Sequence, residues 1–197
     1  MIGGLVRLGV AGGIAGFVID RWLASRPSTA GAGPAEIVSE QDVAASPDEV
    51  WEILADIEAQ PAWMNDLKSV RLLTGSPIGV GTRAIGTIRI LGISVEDPIV
   101  ITSFDRPSRY AIEHQGRYVG TGVIELVATG AGTHVRWTEV LIPPILPHLL
   151  AILQRPIFGA VFQADLDRLR DLVEAASSVA SRDERPTGQS RLPTGQP

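Results

Sequence analysis

The sequence predicts an α+β domain: a curved antiparallel sheet of about seven strands, two short helices and a long C-terminal helix. Three observations predict it. Strand-like runs are separated by short turn signals, a capped helix opens at Ser46 and breaks at Pro61, and an apolar stripe at helical spacing runs from Phe158 to Val173. The length of 197 residues suits one domain with additions at its ends, and 45% hydrophobic residues supply a core. A net charge of −5 speaks against a polyanion-binding surface, so nucleic acid is not expected as a partner. Cysteine is absent, which excludes disulfides, thiolate metal sites and cysteine nucleophiles.

Residues 1–23, MIGGLVRLGVAGGIAGFVIDRWL, are apolar except for Arg7, Asp20 and Arg21. A helix of roughly 19 residues rises about 28 Å, close to the hydrocarbon thickness of a bilayer. Gly9 with Gly13 and Gly12 with Gly16 form overlapping GxxxG spacings. The expected role is an uncleaved membrane anchor; a signal peptide and a helix packed on its own domain are the alternatives. Arg21 and Arg26 outnumber Arg7, which places the domain on the cytoplasmic side, with a soluble cytoplasmic protein as the other reading. Residues 24–35 read as a flexible linker, and 177–197 as a disordered tail poor in apolar residues.

Residues 36–176 form the expected domain. Ile37 to Ala44 is extended. Ser46 as N-cap, Pro47 at the first helical position and Glu49 closing a capping box then start a helix. Strand signals follow at 68–74, 82–91, 93–103, 109–116, 119–128 and 133–141, and their short connections predict an antiparallel meander. Glycines 86, 92, 116, 120 and 122 would let it bend strongly. In the apolar stretch 145–162, Pro147, Pro156 and Gly159 predict separate helical pieces rather than one span.

No GxSxG elbow, GxxxxGK loop or HExxH helix is present, and His114, His134 and His148 lie far apart. Neither a metal nor a cofactor is expected.

The chain resembles the START/Bet v 1-like (SRPBCC) superfamily, in its polyketide cyclase/dehydrase and lipid-transport branch. Ala45-Ser46-Pro47-Asp48-Glu49-Val50-Trp51, Asp56 with Trp63, and Gly79-Val80-Gly81-Thr82 carry the resemblance, with Phe104 to Tyr110 and Gly132-Thr133-His134-Val135. It implies a helix-grip fold enclosing a ligand cavity, with Trp51 anchoring the first helix and Trp63 near the cavity entrance. Two strand faces would then point inward: Tyr110, Ile112 and His114 on one, Val135, Trp137 and Glu139 on the other. With Trp63, Phe158 and Phe162 these make the expected ligand-binding set. His114 and Glu139 are the catalytic candidates, as a neutral base or a carboxyl of raised pKa. The competing reading puts both at strand ends, in water. Arg83, Arg89 and Arg117 are expected on the solvated outer face. The leading function is binding of a hydrophobic small molecule or lipid, as carrier or sensor, with membrane association through residues 1–23. A cyclase or dehydratase of a polyketide-like substrate is the second, and an interaction module using 145–162 is the third.

Overall fold

The computed structural model describes residues 2–25, 36–90 and 92–183. Helix α1 covers Ile2–Ala24, β1 Glu36–Val43 and α2 Pro47–Leu54, followed by a single 3-10 turn at Gln60–Ala62. Strands β2 (Leu67–Leu72), β3 (Arg83–Ile90), β4 (Ile93–Asp105), β5 (Arg109–Gln115), β6 (Val119–Thr129) and β7 (Gly132–Ile142) come next, and α3 (Pro147–Asp183) closes the domain. The sheet is antiparallel throughout, in the order β1-β7-β6-β5-β4-β3-β2. It is a meander whose first strand has folded back onto its last.

The helix after β1 starts as its sequence dictates. Ser46 accepts from the Glu49 backbone N–H while the Glu49 carboxylate accepts from the Ser46 backbone N–H, so the capping box is closed on both sides. Val50, Trp51 and Leu54 turn inward, and Trp51 meets Phe104 edge to face at 5.1 Å. Trp51 thus holds α2 against the sheet.

The C-terminal stretch differs from expectation. Instead of separate pieces it forms one helix, with Pro156 inside it and its end beyond residue 176. Proline in a helix interior removes one backbone hydrogen bond and costs about 3 kcal/mol. Burial on both sides of it offsets that cost: Ala151, Phe162, Leu166, Leu169 and Val173 are buried, and Gln154 donates to the Leu141 carbonyl at 2.7 Å. Pro156 itself faces outward. By length and composition Pro147–Ala180 is apolar enough to cross a bilayer, but α3 packs along β1 as part of the domain.

The end of α1 packs on the start of α3. Asp20, buried, accepts from the backbone N–H groups of His148 and Leu149 at 2.8 and 3.0 Å, so a side chain from one helix caps the other. Ile14, Phe17, Val18 and Ile19 remain exposed on α1. The expected linker beyond Ser25 and the tail beyond Asp183 lie outside the described residues.

Candidate functional site

A cavity of about 120 Å³ lies between the sheet and α3. Phe158 and Phe162 of α3 form one side, and Ile88, Val95, Ile112 and Leu141 of the strands the other, with Met64 and Leu67 beside them. An aromatic ladder runs along it. Trp63 meets Trp137 edge to face at 6.0 Å, Trp137 stacks on Phe162 at 4.6 Å, and Phe162 stacks on Phe158 at 5.9 Å. A recess of about 30 Å³ adjoins the cavity, sharing Met64, Ile112, Trp137 and Glu139 with it and adding Gln60, Trp63, Tyr110, Gly122 and Ile124.

One polar cluster is set into this apolar wall. His114 lies between two carboxylates: Nδ1 is 2.6 Å from Asp97 Oδ2 and Nε2 is 2.6 Å from Glu139 Oε1. Trp137 Nε1–H donates to the second Glu139 oxygen at 2.8 Å. His114 is 9% exposed and Glu139 3%. Burial disfavours the charged ring, but hydrogen bonds and attraction from Asp97 and Glu139 outweigh it and push the imidazole up to about 10. Burial pushes the Glu139 carboxyl up, against the lowering influence of His114 and Trp137. With an acceptor at each nitrogen, the doubly protonated ring is the form that satisfies both bonds.

The sheet makes room for this cluster with two glycines. Gly122 is paired with Glu139 across β6 and β7, and a Cβ there would stand 2.6 Å from Glu139 Oε2. A Cβ on Gly116 would stand 2.9 Å from Pro98 Cδ and 3.1 Å from Asp97 Oδ1. Glycine at these positions is space for side chains from neighbouring strands, where bending of the sheet was the expectation.

The structure brings most of the expected residues to one place. His114, Ile112, Trp137, Glu139, Phe158 and Phe162 line the main cavity, and Tyr110 lines the recess. Val135 is fully buried and lines neither. Trp63, expected at the entrance, is 1% exposed and lines the recess, because Pro61 folds the chain inward after α2. His114 and Glu139 are not at wet strand ends, since α3 covers the open side of the sheet. A carboxylate at each ring nitrogen favours the protonated ring over the neutral base of the expectation. Of the three arginines expected outside, Arg117 lines the cavity.

Asp97 carries no motif in the sequence, although it completes the cluster. Its signal was register: β4 and β5 pair Ile99 with His114, so Asp97 lies one inward position further along. Asp165, within the Phe158–Val173 stripe, is fully buried and accepts from the backbone and side-chain amides of Asn65 at 2.8 Å each. Burial pushes its carboxyl up to about 6. Among the described residues no group of three or more His, Asp or Glu is arranged to hold a metal ion.

A family model described as polyketide cyclase / dehydrase and lipid transport matches residues 34–174. An uncharacterised protein of Mycobacterium bovis is 28% identical over 145 residues, covering 72% of this chain and 86% of its own length. A crystal structure from Thermus thermophilus superposes with a TM-score of 0.61 at 22% identity, over 72% of this chain and 99% of that one. The di-domain ARO/CYC StfQ from the steffimycin biosynthetic pathway gives a TM-score of 0.61 at 14% identity, over 73% of this chain and 52% of that one. At these identities the two structures bear on the fold.

Proposed function

The chain belongs to the polyketide cyclase / dehydrase and lipid transport family, and from that premise we propose that it binds a hydrophobic small molecule or lipid in its cavity, as a carrier or sensor. The observation that carries this reading is the aromatic ladder from Phe158 to Trp63, which walls an open chamber that also holds the Asp97–His114–Glu139 cluster. A void of roughly 150 Å³ accepts benzene, so about 120 Å³ takes a ring or one end of a longer molecule, the rest leaving through the mouth. Arg117 stands beside the cavity to meet a polar or anionic portion of such a ligand.

Native mass spectrometry of the full-length protein, purified from its own cells in mild detergent, tests this. A discrete co-purifying mass that extracts into organic solvent is expected. A protein that stays empty, and that takes up no fatty acid or aromatic probe when these are added, would sink the carrier reading.

A cyclase or dehydratase reading keeps one specific support. The Asp97–His114–Glu139 cluster borders the cavity, and acid–base chemistry there requires a ligand to displace one carboxylate from the ring. Turnover of a probe hydroxyketone that disappears in His114→Gln would favour it, and no turnover by the intact protein would end it. Tethering to a membrane by α1 rests on the exposed Ile14, Phe17, Val18 and Ile19.

A further inference from the structure

Two buried polar groups line the recess beside the cavity without a well-formed hydrogen bond. Trp63 Nε1 and the Tyr110 hydroxyl make no hydrogen bond of good geometry, although the residues are only 1% and 4% exposed. Leaving a buried polar group unpaired is unfavourable, and both residues line the same recess of about 30 Å³. Gln60 gives one amide N–H to the Leu54 carbonyl at 3.1 Å, and its side chain is a polar neighbour of the Tyr110 hydroxyl. Trp63 Nε1–H can only donate. The Tyr110 phenol, pushed up to about 12 by burial despite the nearby Gln60, also keeps its proton.

We propose that this recess receives a neutral carbonyl oxygen at one end of the ligand, with Trp63 Nε1–H and Tyr110 O–H as its two donors. The proposal rests on the cavity-binding reading and narrows it to a ligand class: an apolar body ending in a ketone, ester or amide carbonyl. A carbonyl oxygen has two lone pairs and so satisfies both donors at once. Charge and donor matching exclude ionic and N–H end groups. A carboxylate would enter beside the buried Glu139, and an ammonium or N–H end would face a donor in Trp63. The size agrees, since the recess holds an atom or two and the main cavity next to it holds a ring.

Paired probes of one shape isolate the oxygen. Acetophenone and α-methylstyrene differ only in C=O against C=CH₂. Binding of each to the full-length protein is measured by calorimetry, and the tryptophan indole N–H signals are followed by NMR. Acetophenone should bind about tenfold more tightly, because one or two buried hydrogen bonds are gained. It should move the Trp63 N–H resonance, where α-methylstyrene leaves it in place. Tyr110→Phe keeps the ring, Trp63→Phe keeps an aromatic group without the N–H, and each should reduce the preference. If Trp63→Phe does not fold, Tyr110→Phe and the wild-type NMR shift decide. Equal affinities, or a preference that survives both variants, overturn the proposal and leave hydrophobic binding intact. Failure of both probes to bind overturns it together with the cavity reading.

Discussion

His114 concentrates more opposing electrostatics than any other side chain described. Its value of about 10 in the fold, against 6.5 for a free imidazole, means that the native state holds this proton more tightly than the unfolded chain. The stability that follows is complete below pH 6.5 and is lost as pH rises through about 10. Glu139, also raised, works in the same direction: stability falls as pH climbs above its ordinary 4.5. Chemical unfolding between pH 6 and 10 should therefore show an alkaline decline that His114→Gln lacks. That variant leaves two carboxylates facing each other and should lose about 3–5 kcal/mol at pH 7. A flat wild-type profile would contradict the clamp. Gly122→Ala attacks the same cluster from the next strand, because the added methyl displaces Glu139. It should cost about 1–3 kcal/mol and bring the His114 midpoint down, as read by NMR of the ring protons.

Among the elements, α3 walls the cavity with Phe158 and Phe162, and it is held at two points. Near its start, Asp20 of α1 caps His148 and Leu149. In Asp20→Ala the amides of those two residues should exchange hydrogen faster, while amides of β5 and β6 keep their protection. Unchanged exchange at 148 and 149 would show that α1 does not dock in solution. Further along, Asp165 and Arg168 both engage Asn65, joining α3 to the segment that turns Trp63 inward. Asp165 titrates at about 6 in the fold against an ordinary 3.8. Its contribution is therefore largest below pH 3.8 and is lost as pH rises through 6. Asp165→Asn keeps an acceptor for Asn65 and should flatten that part of the stability profile.

At the scale of the whole molecule, the outward faces of α1 and α3 are both apolar. Ile152, Leu153 and Ile157 are exposed on α3, as Ile14, Phe17 and Val18 are on α1. Exposed apolar surface of this kind marks a binding face, and Asp20 fixes the two helices to one another. Full-length protein should co-float with phosphatidylcholine vesicles, and Ile14→Asp with Phe17→Asp should abolish flotation without altering the melting of the domain. Wild-type protein that stays at the bottom of the gradient would remove the tether. The cavity reading would be untouched, because the chamber lies on the other side of α3.

The sequence by itself determined the kinds of element and their order. Alternation in the strands, the Ser46 capping box and the Phe158–Val173 stripe are local signals, and local hydrogen bonding and side-chain period suffice to read them. It also put Tyr110, Ile112 and His114 on one strand face and Val135, Trp137 and Glu139 on another, since parity along a strand survives folding, while the inward direction of those faces came only from the resemblance. Only the tertiary structure decided what those residues do. Whether His114 meets water or two carboxylates depends on the register of β4 against β5 and of β6 against β7. It depends equally on α3 staying continuous through Pro156, which no local signal announces. Asp97 and Asp165 were out of reach for the same reason. A carboxylate's burial is set by which partners arrive from distant parts of the chain, and the energy that keeps it there is shared among all of them.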